Sequence, residues 1–419
     1  MASRATALTA AILALATAAN PQAPSTPAAT AGEKLFQAGK FAEARAEFSR
    51  AVAANTEDHP AALRLGHLAL LENRFPEAEK WLKHAEALQP EHKPTRGLLA
   101  ELYYRQDDFA QAAPFFRAAD REVIALKLES LQGTTPYQVS KRDFDVRVKW
   151  VQTDPLPVVQ ASVNGGALAN FIIDTGGPEI ILGTEFAKAA GVPEFGGTAG
   201  QLAGGRATVG HGRVDRFTIG GLEVRNVPVQ MLDARVWTSG APGLKVDGVI
   251  GSVFLYHFLS TLDYVKGELR LQPRSKKHLK GLEANVKKGE TIAVPFWLAG
   301  DHFMLAWGRI NQSAPMLWFV DTGLAGGGFI GSSATLKEAG IDSALPQDST
   351  GAVVTGANRF NVAELALGDA VERNISGLQG NLSQIGSIRI GGLISHQFFK
   401  RYAITLDFTK MRIFLRRQE

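Results

Sequence analysis

The sequence predicts a multidomain chain in which an α-helical repeat region precedes a mostly β region made of two similar halves. Three observations support this prediction. A motif recurs at equal intervals between Ala31 and Ala119. After Thr134, Ala-rich segments give way to short Gly-, Val- and Ile-rich runs typical of strands. The segment FIIDTGGPEIILG at Phe171 returns as WFVDTGLAGGGFIG at Trp318. A chain of 419 residues is also too long for one ordinary core.

The composition fits a folded globular protein, because apolar residues make up 45% and charged residues 21% of the chain. The formal net charge is only +4, and the basic residues that cluster at 276–280 and 287–288 are interpreted as a solvated loop. No aromatic residues alternate with them, so nucleic acid is not expected as a partner. The absence of cysteine excludes disulfides, thiolate zinc sites and a cysteine nucleophile. The nine histidines lack metal-ligand spacing, so neither a metal nor another cofactor is expected.

The amino terminus has the pattern of a secretory signal peptide, predicted here for residues 1–19. Arg4 supplies a positive start, residues 7–15 are weakly apolar, and residues 16–18 are small enough for a signal peptidase site. The apolar run is too short to span a membrane, so no membrane span is expected. A disordered Ala-rich tail is the alternative. A signal peptide implies a periplasmic or secreted protein, with residues 20–30 as a Pro/Ala-rich linker.

A helical repeat with a constant period is predicted for residues 31–130. The phrase GKFAEARAEF at Gly39 returns in altered form at Asn73 and Asp107, which are equally spaced. Small residues at fixed repeat positions let paired helices approach closely, and a large aromatic residue fills the gap between them. These positions are Phe41, Phe75 and Phe109, then Ala44, Ala78 and Ala112, then Gly32, Gly66 and Ala100.

At these residues the segment resembles the tetratricopeptide repeat family, in nearly three copies. The resemblance implies stacked helical hairpins, which generally bind a peptide or a partner protein in a concave groove. The alternative is a spacer, or a docking surface for the rest of the same chain. The sequence leaves both interpretations open, because it identifies no groove residues.

The β region repeats itself. Asp174 and Asp321 each follow an apolar run and precede Thr-Gly. Further along, GVIGSVFLYHFLSTLDYVKGELRL matches GLISHQFFKRYAITLDFTKMRIFL. A single Asp-Thr-Gly is a weak signal, whereas two at equivalent points of a duplicated unit are a strong one. We therefore predict two β lobes, at 144–274 and 291–417, joined by a basic linker at 275–290.

The paired motif resembles that of the pepsin and retropepsin family of aspartic proteases, over roughly residues 144–417. The resemblance implies a bilobal acid-protease fold in which each lobe contributes one Asp-Thr-Gly across a pseudo-twofold axis. It implies that Asp174 and Asp321 form the catalytic pair, share one proton and activate a water against a peptide or protein substrate. A protease unit complete in one chain is expected to be a monomer. The residues expected to support the pair are Thr175, Gly176, Thr322 and Gly323.

A Gly-rich hairpin at 204–216 is expected to form a flap over the cleft, with 350–360 as its counterpart in the second lobe. His211 in this segment is expected to be an exposed hairpin residue. A mobile hairpin of this kind can close over a peptide and exclude water from the reaction.

Three positions depart from the pattern of the family, namely Gly177, Leu324 and Ser395. They leave a second function open, in which the β lobes are a non-catalytic binding cleft and the helical repeats are an adaptor. Both Asp-Thr-Gly triplets are nevertheless intact, so an aspartic endopeptidase is the first hypothesis.

Overall fold

The structure, a computed structural model, describes residues 27–202, 205–241, 243–341 and 359–418. An all-helical part comes first, and a β-rich part with two lobes follows, which confirms the predicted fold class. The predicted signal peptide lies outside the described residues. No helix within these ranges is both long enough and apolar enough to cross a membrane.

Seven helices make up the first part of the described chain. Helices α2, α4 and α6 begin at the three phenylalanines of the repeat, and the three alanines that follow in register are fully buried. The first helix begins at Pro27, so residues 27–30, which were predicted to end the Pro/Ala-rich linker, are helical. The helices α1 to α7 are Pro27–Gln37, Phe41–Ala54, His59–Leu71, Phe75–Leu88, Lys93–Tyr104, Phe109–Ala118 and Glu122–Glu129.

The glycines of the repeat allow the helices of a pair to touch. A Cβ atom on Gly66 in α3 would lie 2.6 Å from Cγ of Leu82 in α4, and one on Gly32 in α1 would lie 2.8 Å from the ring of Phe48 in α2. Leu82 and Phe48 are buried, so neither can move aside. The small residues that the repeat contains are therefore required by close packing.

The first lobe contains eleven strands and two short helices within its described residues. The strands β1 to β11 are Gln138–Val139, Val146–Lys149, Val158–Val163, Ala169–Ile173, Ile180–Gly183, Glu194–Leu202, Gly205–Ile219, Leu222–Leu232, Gly248–Ile250, Leu259–Asp263 and Glu268–Gln272. The helices α8 and α9 are Thr184–Ala189 and Ser252–Tyr256, and a 3₁₀ helix spans Ala234–Gly240.

The second lobe follows a connecting helix, α10, at Lys276–Lys287. The strands β12 to β17 are Ile292–Ala299, Phe303–Ile310, Met316–Val320, Phe329–Ser332, Arg359–Leu367 and Ala370–Gly380. The strands β18 to β22 are Gln384–Ile385, Ile388–Arg389, Gly392–Ile394, Tyr402–Asp407 and Arg412–Arg417. The helices α11 and α12 are Ser333–Glu338 and His396–Phe399.

The expectation of a solvated loop at 275–290 is wrong, because most of this segment is α10. The Ser275 hydroxyl accepts a hydrogen bond from the backbone N–H of His278 and so caps the helix. Leu279 is buried while Lys276 and Lys280 are exposed, so the helix is amphipathic. The lysines that suggested a loop are its solvent face.

The two lobes share one strand topology. In the first lobe β4 pairs in parallel with β9, β9 pairs antiparallel with β5, and β5 pairs in parallel with β8. In the second lobe β14, β20, β15 and β17 make the same pairings in the same order. The duplication in the sequence is thus a duplication of the fold.

Strands of both lobes join in one larger sheet, and the part of it that passes from the second lobe to the first is a six-stranded section in the order β12-β22-β21-β10-β11-β2. Its centre is the antiparallel pair of β10 and β21, in which Leu262 lies opposite Ile404. Both side chains are buried, so separating the lobes would expose apolar surface and break a strand ladder. This sheet therefore fixes how the lobes face each other.

The helical repeats pack one side against the β lobes. Helix α1 contacts β19, α3 contacts β12, and α7 contacts β6 and β7. At the end of α5, the guanidinium of Arg105 donates a hydrogen bond to the backbone oxygen of Leu298, at 2.9 Å. The odd-numbered helices thus face the rest of the same chain, which is the docking role that the sequence left open.

A single position of the repeat makes three further contacts with the β lobes. Gly39, Asn73 and Asp107 occupy the same register of the repeat, in the turns after α1, α3 and α5, and all have positive φ angles, of 73°, 53° and 60°. A Cβ atom on Gly39 would lie 2.5 Å from Leu317. The Asn73 amide donates to the backbone oxygen of Phe408 at 3.1 Å, and a carboxylate oxygen of Asp107 lies 3.0 Å from Nε2 of His257. The turns of the repeat therefore dock along both lobes.

We expect Gly66→Ala to lower the free energy of unfolding by about 1 to 3 kcal/mol, because the added methyl group overlaps the buried Leu82. Gly97→Ala in α5 is the matched control. No atom lies within 4 Å of a Cβ atom there, so that variant should be more stable by up to about 1 kcal/mol. Urea unfolding followed by circular dichroism measures both. Equal stability of the two variants would contradict this account of the repeat.

Candidate active site

The two Asp-Thr-Gly triplets lie where β4 and β14 end. The backbone N–H of Asp174 donates to the backbone oxygen of Ile250 in β9, at 3.0 Å, and the N–H of Asp321 donates to Ile394 in β20, at 2.9 Å. Each strand is therefore paired up to its aspartate and turns immediately afterwards. The turn places each carboxyl group over its own loop, where Gly176 and Gly323 donate backbone N–H groups to the carboxylates at 2.7 and 2.8 Å.

The two loops meet, and crossed threonines hold them together. The backbone N–H of Thr175 donates to Oγ1 of Thr322, and the N–H of Thr322 donates to Oγ1 of Thr175, both at 3.0 Å. The Thr175 hydroxyl in turn donates to the backbone oxygen of Val320, and the Thr322 hydroxyl to that of Ile173. All four bonds cross between the lobes, so the pairing fixes the distance between the two aspartates.

The glycines allow the carboxyl groups to approach. A Cβ atom on Gly176 would lie 2.5 Å from the carboxyl carbon of Asp321, and one on Gly323 would overlap the carboxyl group of Asp174. Each carboxyl group therefore lies against the glycine of the opposite loop, where any side chain would displace it. The structure thus brings together all six predicted site residues.

The two carboxyl groups form a coupled, buried pair. Asp174 is 5% exposed, Asp321 is fully buried, and each carboxyl group lies against the glycine of the opposite loop. Burial raises the pKa of both groups, and the charge of Asp174 raises the pKa of Asp321 further. Because the backbone N–H groups of the loops favour one negative charge but burial opposes two, the pair holds a single shared proton over an intermediate pH range.

The sequence did not indicate His302, whose electrostatic influence reaches Asp174. This histidine lies in the tight turn between β12 and β13, is 2% exposed, and pairs through Nδ1 with the carboxylate of Asp301 at 2.5 Å. Burial raises the pKa of Asp174, and His302, whenever its ring carries a proton, opposes that rise. The dipeptide Asp301-His302 has no distinctive spacing, and only the fold brings it within electrostatic range of Asp174.

The three departures from the family pattern are accommodated locally. Leu324 is buried, and its backbone oxygen accepts hydrogen bonds from the Ser395 hydroxyl and from Nδ1 of His396, both at 2.8 Å. In the first lobe Ser252 supports the loop in the same way, through the backbone oxygen of Thr175 at 2.7 Å. At Gly177 a Cβ atom would meet nothing closer than 3.5 Å. None of the three residues separates the two aspartates.

The expected flap is part of a long hairpin formed by β6 and β7, with Leu202 opposite Gly205. Its tip, residues 203–204, lies outside the described residues, as does most of the second-lobe counterpart at 350–360. The expectation that His211 is exposed is wrong, because it is 1% exposed and its Nε2 lies 2.8 Å from the hydroxyl of Thr198. Burial, together with the nearby cations of the helical repeats, lowers the pKa of His211 to about 2.

Comparisons with known proteins agree with both parts of the chain. Residues 159–254 match a family model described as aspartyl protease, and residues 35–90 match one described as tetratricopeptide repeat. The first match includes Asp174 and ends before Asp321. These matches confirm the two resemblances on which the sequence analysis rests. The chain carries tetratricopeptide repeats followed by an aspartyl-protease-like domain.

A comparison with solved structures finds an aspartic proteinase from Irpex lacteus, with a TM-score of 0.43 and 12% sequence identity. The match covers 66% of this chain and 98% of that chain. A comparison with curated protein sequences finds no match.

The buried pair gives a testable dependence of stability on pH. Because burial raises the folded-state pKa of Asp321 above its ordinary value of 3.8, the folded state binds more protons than the unfolded state as pH rises from that value. Ionisation of Asp321 therefore lowers the free energy of unfolding. This loss of stability is absent in acid and grows as pH rises. Asp321→Asn removes it. We expect this variant to be about 1 to 3 kcal/mol more stable than wild type at pH 7, with the difference vanishing in acid.

Urea unfolding at several pH values measures this difference. The matched control is Asp369→Asn, because Asp369 is exposed in the turn between β16 and β17 and should have little effect at any pH. If Asp321→Asn were less stable than wild type at pH 7, the carboxyl pair would not be a strained, buried one.

Proposed function

We propose that this protein is an aspartic-type endopeptidase in which Asp174 and Asp321 activate a water to hydrolyse peptide bonds. The observation that supports the proposal is the pair of buried carboxyl groups, one from each lobe, each lying against the glycine of the opposite loop. Such a pair keeps one proton and one charge, which are the acid and the base that the reaction needs at the same time.

The chemistry follows from the shared proton. The charged carboxylate accepts a proton from the water as its oxygen bonds to the scissile carbonyl carbon, while the protonated carboxyl group donates to the carbonyl oxygen. The tetrahedral intermediate then collapses, the carbon–nitrogen bond breaks, and the leaving amine takes a proton from the pair. Since the pair titrates jointly, neither aspartate has a fixed role. The attacking group is water, so no covalent acyl-enzyme forms.

A hairpin of the first lobe is a candidate flap over an extended peptide substrate. The hairpin of β6 and β7 belongs to the same lobe as Asp174 and is long enough to act as a flap. Two loops of one chain supply both aspartates, so we propose that the protease unit acts as a monomer.

We also propose that the helical repeats recruit a protein or peptide, as the family match suggests. Their odd-numbered helices contact the β lobes, so recruitment would use the faces of α2, α4 and α6. Export to the periplasm or the exterior is proposed on the signal-like pattern of residues 1–19.

The first test is cleavage of a diverse peptide mixture by protein lacking residues 1–19, from about pH 3 to pH 8, the span over which a coupled carboxyl pair passes through its single-proton state. Mass spectrometry reads new peptide termini for wild type, Asp174→Asn and Asp321→Asn. We expect both variants to lose cleavage by at least about 10³-fold while remaining folded, because each lacks one partner of the acid–base pair. Full activity of either variant would refute the proposal.

A binding protein is the competing outcome. Wild type and the double variant Asp174→Asn/Asp321→Asn would then bind one peptide equally, and neither would cleave it. Binding is read by fluorescence anisotropy of the labelled peptide, so the two functions give separate results.

The pH profile tests the position of His302. A protonated His302 ring lowers the pKa of Asp174, so His302→Gln should raise the pKa of that group beyond the rise that burial causes. We expect the acid limb of kcat/KM to move to higher pH by up to about one unit, the scale of shift that one nearby charge causes. His84→Gln, in α4 of the repeats, is the control and should leave the limb in place. An acid limb that moved to lower pH in His302→Gln would contradict this reading.

A further inference from the structure

The loop that carries Asp174 is tied to the helical repeats by a buried ion pair. Glu179, shortly after Asp174 in the chain, is 2% exposed, and its two carboxylate oxygens lie 2.6 and 2.7 Å from Nζ of Lys127 in α7. The hydroxyl of Tyr104, at the end of α5, donates to the same carboxylate at 2.5 Å. Lys127 is only 1% exposed, so both charges are withdrawn from water.

Backbone hydrogen bonds make the segment from Asp174 to Glu179 one continuous unit. The backbone oxygens of Gly177, Pro178 and Glu179 accept N–H groups from residues 251–253, at 2.8 to 3.1 Å. A Cβ atom on Gly251 would overlap these same oxygens, so the loop lies directly on the chain below it. Glu179 is therefore connected to Asp174 through a short segment whose backbone is held against residues 251–253.

The second catalytic loop offers no side chain for such a tie. The residue that precedes β15 is Gly328, at the position that Glu179 occupies before β5. Residues 326–328 are all glycine. The two copies of the fold therefore differ at this position. The first catalytic loop is anchored to a residue outside the lobes, whereas the equivalent position of the second loop has no side chain that could form such an anchor.

We propose that the helical repeats position the first catalytic loop, with Glu179, Lys127 and Tyr104 as positioning residues for Asp174. The proposal rests on the proposed function, because it concerns the alignment of the same two aspartates. It gives the repeats a role in the reaction itself, separate from any recruitment of substrate.

A buried ion pair is weak evidence for a contribution to stability, since apolar residues of similar volume can often replace it without loss. Apolar replacements do not fix the orientation of the loop relative to the repeats, because dispersion contacts allow packed groups to slide past each other. An ion pair through two carboxylate oxygens, with a third hydrogen bond, does not allow this sliding. Stability and positioning can therefore be separated by experiment.

The experiment compares wild type with the triple variant Tyr104→Phe/Lys127→Met/Glu179→Met, which removes both charges and the hydroxyl but keeps the volume. Lys127→Met alone leaves Glu179 buried without its cation and serves as the disruptive variant. The control is Asp107→Asn, which weakens another contact between the repeats and the first lobe, at His257. Circular dichroism and urea unfolding establish that each variant is folded.

The direct readout is hydrogen exchange by mass spectrometry in peptides spanning 171–183 and 318–331. In the triple variant we expect exchange in 171–183 to accelerate by about tenfold or more, because that loop has lost its anchor. Exchange in 318–331 should stay as in wild type. This readout does not require catalysis, so it decides the proposal even if wild type cleaves nothing and the proposed function fails.

The kinetic readout follows for an active enzyme. We expect kcat of the triple variant to fall by about tenfold to a hundredfold, the cost of a small misplacement of a reacting group, while KM changes by less than about twofold. Asp107→Asn should keep wild-type values. A folded triple variant with wild-type kcat and wild-type exchange in 171–183 would overturn the proposal and leave the ion pair as a packing feature.

Discussion

Two carboxyl groups that must occupy one buried space are the constraint on which the rest of the β region depends. Asp174 and Asp321 are both withdrawn from water, and burial raises the pKa of each. The pair is tolerable only if it keeps a proton, and it keeps one only if the groups stay in contact. Two strands must therefore end at the same point, and the residues opposite the carboxyl groups must lack side chains.

The crossed threonines and the shared sheet meet this requirement at two levels. Thr175 and Thr322 fix the positions of the two catalytic loops relative to each other, through short hydrogen bonds that cross between the lobes. The ladder between β10 and β21 fixes the lobes themselves through buried apolar residues. The helical repeats add a third level at the first catalytic loop, through Lys127 and Glu179, so the pseudo-twofold symmetry of the lobes is broken where the repeats dock.

Features that recur in the sequence were predictable, because each copy of a motif supports the interpretation of the other copies. The regular spacing of the repeat indicated the helical hairpins, and the paired Asp-Thr-Gly segments indicated two lobes and all six site residues. Features that occur once were missed or wrongly interpreted. The lysines of α10 suggested a loop, because Leu279 is the only apolar residue of this helix that is buried. His211 looked exposed because the helix that covers its hairpin comes from another part of the chain.

The sequence by itself determined which residues could form the site, because strands that end in Asp-Thr-Gly and turns that need positive φ depend on local backbone chemistry. Only the tertiary structure decided which groups tune that site. His302, Lys127 and Tyr104 are far from Asp174 along the chain, with no pattern to link them. Their influence depends on distance and burial, and both arise only when the lobes and the repeats pack together.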